Sequence, residues 1–286
     1  MRERIRHVVF GHCERGTVHR RGNASESAIG DAVETSRMNQ RDGSRALPST
    51  YHLLVAFKRW LPEWLRYRLD PYNSEADRFV AKQAGVLDAD SRVLDAGAGE
   101  CRHAAAFAGQ RYFGTDNGQG DRFRWDYSKL DFFSDLERLP IADDCIGIVV
   151  NINVLEHVSD PARVLGECHR VLRPGGKLLL VAPQSWLMHQ APHDYFRYTR
   201  HGLEFLLQKS GFRSIEIDAI GGTFWNLGSR SLYILTHFDG KRLPLAVLLA
   251  PIFGFLIPLA CYYLDKLDRR HWDTLGYKVV ATKAFG

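Results

Sequence analysis

The chain has 286 residues, 45% of them hydrophobic and 25% charged, with a formal net charge of +5. That length suits one large α/β domain or two small ones. Nine arginines against six carboxylates put residues 1–50 at +3 and leave +2 for the rest, too little for the basic stripe nucleic acid needs, so no nucleic-acid partner is expected.

Five scattered cysteines (Cys13, Cys101, Cys145, Cys168, Cys261) form no CxxC pair. This argues against a disulfide framework or a structural zinc site and suits a reducing cytoplasm. The opening "MRERIRHVVF" has the charges of a secretory signal but too short an apolar run. Residues 1–50, rich in Arg, Ser, Gly, Asn and Glu without a hydrophobic period, are expected to be disordered, with Met38 as an alternative start. Residues 51–73 follow as a separate amphipathic segment: Leu53, Phe57, Trp60, Leu61 and Trp64 recur at helical spacing among Lys58, Arg59, Arg66 and Arg68. It is expected to act as a lid or as a membrane-interface helix. "SEADRFVAKQAG" predicts a helix capped by Ser74 and Asp77, with Ala76, Phe79, Val80 and Ala84 buried.

From residue 92 strands and helices alternate. "RVLDAGAG" predicts a buried strand and a glycine turn, then a helix from Glu100 to about Gly109. "RYFGTD", "LDFFSD" and "IGIVVN" predict three further strands. "DPARVLGECHRVL" predicts a helix with Asp160 at its cap and Pro161 at its first position. "RPGG" stops it before the strand "KLLLVAP". Such alternation implies a parallel sheet with helices on both faces, whose ligands sit outside the carboxyl ends of the strands.

The turn Gly97-Ala98-Gly99-Glu100-Cys101-Arg102 lacks the third glycine of the dinucleotide fingerprint and carries acids at Asp95 and Glu100. Two carboxylates there oppose a pyrophosphate, which a helix N-terminus would otherwise attract. They favour a ligand with a positive end and no phosphate. S-adenosylmethionine, with its α-ammonium and sulfonium, is such a ligand.

Four motifs in order, "VLDAGAGE", "FGTD", "SDLERLPIADD" and "INVLEHVSDPARVLGECHRVLRPGGKLLLVAP", resemble the class I S-adenosylmethionine-dependent methyltransferases, in the subgroup acting on small molecules and lipids. The resemblance covers about residues 74–216, with a return at "LGYKVVATK". It implies a Rossmann-like doubly wound α/β fold of seven strands, the last antiparallel, with residues 74–286 as the methyltransferase domain. It further implies that Asp95, Ala96, Gly97 and Gly99 line the methionine half of the cofactor. Asp116, with Asn117 beside it, would meet the ribose, Asp135 and the Leu136 backbone the adenine, and Asn151 and Asn153 would lie near the donor methyl. Gly147, where similar proteins usually have an aspartate, and Cys101 depart from the pattern.

Methyl transfer from a sulfonium needs a base only when the acceptor carries a proton of high pKa. His157 is a candidate for that base, or else a loop-orienting residue. His193 with Asp194 is a second candidate pair. His189, Asp194, Tyr195 and Arg197 are expected to contact the acceptor, with Arg197 able to hold a carboxylate or phosphate bidentately; the alternative is a capped helix start whose aromatics fill the core. His189 and His193 stand four apart, but no third ligand is evident, so no metal is expected.

Residues 243–264 carry no charge and are long enough to span a bilayer. A chain that must return to its own sheet argues against a span, and Pro244, Pro251 and Pro258 argue against a continuous helix. The expectation is a hairpin dipping into one leaflet near Pro251, flanked by Lys241, Arg242, Lys266, Arg269 and Arg270, or a helix pair packed on the domain or a second subunit. The reading favoured is a methyltransferase on the cytoplasmic membrane face, peripheral or monotopic, acting on a lipophilic or lipid-linked small molecule. The rivals are an enzyme for a soluble metabolite, with 243–264 as an oligomer interface, and a cofactor-binding module without catalysis.

Overall fold

A computed structural model describes residues 60–120, 125–238 and 240–285. The expectations for residues 1–50, and for 51–59 of the amphipathic segment, lie outside the described residues.

Seven strands form one sheet in the order β3-β2-β1-β4-β5-β7-β6. They are β1 Arg92–Ala96, β2 Arg111–Asp116, β3 Phe132–Phe133, β4 Ile146–Ile152, β5 Leu172–Pro183, β6 Ile215–Ile220 and β7 Gly276–Thr282. The first five pair in parallel, and β7 runs antiparallel between β5 and β6. Central strands such as Ile146–Val150 and Leu178–Ala182 are near-continuous apolar runs because both faces of the sheet are covered. On one face, helix α2 (Pro71–Ala84) sets Val80 and Ala84 against Val93, Ile148 and Val150. On the other, α3 (Pro161–Val171) and α4 (Arg200–Lys209) contribute Val164, Leu165, Cys168, Leu203 and Leu207 to the main core. Asp160 caps α3, accepting the Arg163 N–H at 3.0 Å as its sequence predicts.

Three local expectations change. Helix α2 starts at Pro71, not at a Ser74 cap, so the expected boundary between residues 73 and 74 falls inside it. A proline is at home in the first turn because its missing N–H has no helical partner to lose. The helix expected from Glu100 is absent. Gly99 (φ +51°) and Cys101 (φ +55°) are both left-handed, which an α-helix cannot accommodate, and only a 3₁₀ turn at Ala104–Phe107 follows. Strand β5 begins at Leu172, so "RPGG" lies within it.

A fourth change concerns the apolar run. It is one helix rather than a hairpin: α6 (Leu243–Pro251), a π turn (Ile252–Leu256) and α7 (Ile257–Leu264) follow without a break. Pro244 sits in the first turn, where its missing N–H costs nothing; the π turn leads into Pro258 and shifts the hydrogen-bond register there, and the Ser231 hydroxyl donates to the Phe253 carbonyl at 2.9 Å. The helical hairpin is made instead by α5 (Thr223–Ile234), which leaves β6 and packs against α7 on the chain's way back to β7. Among the described residues this return helix, Gly240–Leu267, is the one long and apolar enough to cross a membrane by length and composition.

Candidate active site

The order of strands reverses between β1 and β4, and the carboxyl ends of these two strands open a crevice. A cavity of about 320 Å³ lies there. Its walls come from the β1 turn (Asp95 to Glu100), the β4 end (Ile152, Asn153, Glu156), the start of α2 (Tyr72, Asn73, Ala76) and the loop after β5 (Trp186, His189, Gln190).

The turn is shaped by backbone contacts. The N–H groups of Gly97 and Ala98 both donate to the Thr115 carbonyl at 2.9 Å, folding the chain back over β2. Gly97 has φ +91°, and a Cβ there would overlap both methyls of Val154. Gly97→Ala is therefore expected to cost about 1–3 kcal/mol through strain and overpacking, read as a lower melting temperature together with weaker binding of S-adenosylmethionine by calorimetry.

Asp95 is 2% exposed and accepts the Tyr112 hydroxyl at 2.6 Å. Burial pushes its carboxyl up to about 7, against the Tyr112 hydrogen bond and with help from the negative Asp116. A carboxylate held this far out of water, on the cavity wall, is poised for a cation. Glu100 and Glu156 line the same cavity, whereas Arg102 is paired with Asp77. The lining thus suits a ligand with a positive end. With no helix starting at Glu100, the turn also lacks the dipole that seats a pyrophosphate.

The other expected cofactor residues divide. Ala96 is buried in β1 next to Gly97. Asp116 does not line the cavity; its two oxygens accept the N–H groups of Gly99 at 3.0 Å and Gly118 at 2.8 Å, so it braces the glycine turn from behind. Asn117 is exposed and accepts the Gln119 N–H. Asp135 is exposed and caps the turn to Glu137, while Leu136 belongs to the core. Asn151 is fully buried and donates to the Ala96 carbonyl at 2.8 Å, tying β4 to β1. Asn153, left-handed at φ +58°, reaches the cavity and accepts the Tyr72 hydroxyl at 2.7 Å.

The loop after β5 is organised differently from its sequence expectation. His193 and Asp194 do not form an oriented base. The His193 imidazole meets the Tyr195 hydroxyl at 3.0 Å, and neither residue lines the cavity. Asp194 instead takes both arms of Arg197, at 2.6 and 2.8 Å, and accepts the His189 N–H. Arg197 also donates to the carbonyls of Trp186, Leu187 and Phe196. Its guanidinium is committed to the loop, so an acceptor anion has no free fork to meet. Arg197→Ala is expected to lower folding stability by about 3 kcal/mol, because it strands the nearly buried Asp194; a denaturant titration reads this.

His157 and His189 lie ring to ring, Nε2 to Nε2 at 3.1 Å. Beside them Glu156 is 1% exposed, and burial pushes its carboxyl up to about 8. Burial also holds the His157 imidazole down to about 4 and lowers that of His189. Sequence reasoning missed Glu156, Tyr72, Trp125 and Trp186. The first hides in "LEHV" as an ordinary loop acid. The aromatics fall in segments without a period, so only the folded chain reveals that they converge.

The sheet order, the antiparallel β7 and an acid-lined glycine turn at the strand switch define a Rossmann-like domain for a cationic, phosphate-free nucleoside ligand. Residues 94–180 match the family model described as a methyltransferase domain. A probable S-adenosylmethionine-dependent methyltransferase of Mycolicibacterium smegmatis is 38% identical over 209 residues, 67% of this chain and 76% of that protein. The chain belongs to the class I S-adenosylmethionine-dependent methyltransferases, and its cofactor is S-adenosylmethionine. A probable S-adenosylmethionine-dependent methyltransferase of Mycobacterium tuberculosis is 30% identical over 51% of this chain and 53% of its own length. A ubiquinone biosynthesis O-methyltransferase of Cereibacter sphaeroides is 28% identical over 34% of this chain and 48% of its own. The chain thus spans about half the length of these two relatives.

Proposed function

We propose that this methyltransferase acts on a lipophilic or lipid-linked small molecule at a membrane surface, on the cytoplasmic face. The observation that carries the reading is the helical hairpin and its link to the cavity. Leu245, Leu248, Ile252, Phe255 and Leu256 are all exposed along α6 and the π turn, and clustered exposed apolar side chains of this kind mark an interaction surface. At its base, helix α1 (Glu63–Leu69) packs on α7; Trp64 within it and Trp60, just ahead of it in the chain, are 60% and 88% exposed. Arg68 lies over the rings of Trp64 and Tyr262, joining the two surfaces. Lys241, Arg242, Lys266, Arg269 and Arg270 flank the stripe. Aromatic, basic and apolar side chains on one surface suit the bilayer interface. Tyr233 of α5 meets Trp186, with ring centroids 6.4 Å apart, so the hairpin touches the cavity wall directly. Both ends of the return helix lead back to one sheet, which favours lying on a leaflet over crossing it.

Within this reading, residues 74–286 with the start of α2 form the catalytic domain, α1 is part of the membrane-facing surface, and 243–264 is an insertion of the catalytic domain. Asp95 meets the α-ammonium, Ala96, Gly97 and Gly99 give the backbone close approach, and Asn153 stands near the methyl donor. Asp116 and Asn151 support these residues rather than touching the cofactor. Trp125, which lines the cavity and lies over Gly99, closes the nucleoside side.

The experiment is turnover of S-adenosylmethionine to S-adenosylhomocysteine with fractionated lipid extract, against a water-soluble metabolite extract. Product labelled in the lipid fraction supports the reading. Label confined to the soluble fraction favours the rival with a soluble acceptor.

A further inference from the structure

We propose that Glu156, His157 and His189 form a divalent transition-metal site whose open coordination positions face the cavity and take an oxygen of the acceptor. The ligand atoms of these three residues lie within 4.8 Å of one another. Each histidine is anchored through Nδ1: His157 to the His193 carbonyl at 2.6 Å, His189 to the Leu187 carbonyl at 3.0 Å. A carbonyl only accepts, so each Nδ1 carries the hydrogen and each Nε2 presents a bare lone pair. The two lone pairs confront one another at 3.1 Å, an arrangement that repels unless a cation lies between or beside them. In a tetrahedral zinc-type site, bonds near 2.0–2.1 Å place nitrogens about 3.3 Å apart, close to the spacing observed. Backbone carbonyls on the far ring nitrogens are also the outer-shell partners that orient metal-bound histidines.

Glu156 supplies the independent observation. It is 1% exposed, and its Oε2 has no hydrogen-bond partner. A buried carboxylate oxygen left unpaired is costly, and its other oxygen lies 3.8 Å from His157 Nε2. Two imidazoles and one carboxylate suit zinc, cobalt, nickel or iron(II) rather than calcium or magnesium. Glu156 and His189 line the cavity that also holds Asn153 and the glycine turn. Three protein ligands leave positions open toward that space, and an ion there would polarise an acceptor oxygen beside the methyl donor. The sequence argument against a metal paired His189 with His193; the fold pairs it with His157 and Glu156 instead.

The site itself needs no acceptor, whereas its use on an acceptor oxygen rests on the function proposed above. The test is therefore a titration with Co²⁺ alone. Untagged full-length protein, stripped with chelator and dialysed, is expected to develop visible d–d bands that Zn²⁺ abolishes. His189→Asn, which lies nearer solvent, and Glu156→Gln should each weaken Co²⁺ binding at least about tenfold. Melting curves and calorimetry with S-adenosylmethionine check that each variant remains folded. Acetohydroxamate, a two-oxygen probe, should shift the bands of the wild-type complex. No Co²⁺ uptake, or equal uptake in wild type and a folded His189→Asn protein, overturns the site. The second result would assign the ion elsewhere, for instance to His7, His12, Cys13 and His19. Unchanged bands with acetohydroxamate would overturn the open positions. Lipid-fraction labelling can fail while all these hold, so the two readings are separable.

Discussion

Asp95→Asn is expected to weaken S-adenosylmethionine binding by about 2–4 kcal/mol, roughly 30- to 1,000-fold, the usual loss when one partner of a buried charge pair is removed. The fold should survive. Asparagine keeps the shape and an oxygen for the Tyr112 hydroxyl, which Asp95 accepts at 2.6 Å. It also removes the cost of burying a charge, so the melting temperature of the ligand-free protein at pH 8 should hold or rise. Calorimetry and thermal melts separate these effects, and unchanged affinity would remove the electrostatic account of the turn.

The same residue predicts a pH dependence. Its carboxyl lies at about 7 in the folded protein, above the ordinary value of 3.8. The stability this contributes to the ligand-free protein is present below about pH 4 and is lost as pH rises through 7. Cofactor binding runs the opposite way. The α-ammonium requires the ionised carboxylate, so affinity should rise by up to tenfold per pH unit below 7 and level off above it. Asp95→Asn should flatten that slope, and a profile already flat in the wild type would count against the assignment.

The second large effect concerns the hairpin. Leu245→Gln, Leu248→Gln and Leu256→Gln together should abolish co-sedimentation with anionic phospholipid vesicles. Each leucine buried in a bilayer contributes about 1.5–3 kcal/mol. Three together contribute about 4.5–9 kcal/mol, more than about 1,000-fold in partitioning. All three are exposed, so the melting temperature should not fall. Wild-type protein that stays in the supernatant, or a triple variant that still sediments, would favour the soluble rival and an oligomer interface on this surface.

Particular elements show how far local sequence reaches. The cores of β1, β4 and β5 (residues 93–94, 146–150 and 178–182) were readable because they are buried on both faces and therefore nearly all apolar. Helix α3 was readable because Asp160, Pro161 and the inward stripe agree on one start and one face. The segment after Gly99 misled, since alanines and an apolar pattern suggest a helix that two left-handed residues prevent. The prolines of the apolar run misled in the other direction, since a π turn absorbs what local rules count as a break.

The sequence by itself determined the sheet class, the acidic glycine turn and the cofactor chemistry, because each depends on residues close together in the chain. Only tertiary structure decided which side chains share the cavity. Arg197 spends its charge on Asp194, Asp116 braces a turn, and Glu156 and His157 meet His189 more than thirty residues away. Pairings of this kind are set by where β4 and β5 end and how the loops between them close, and local spacing carries no record of that geometry.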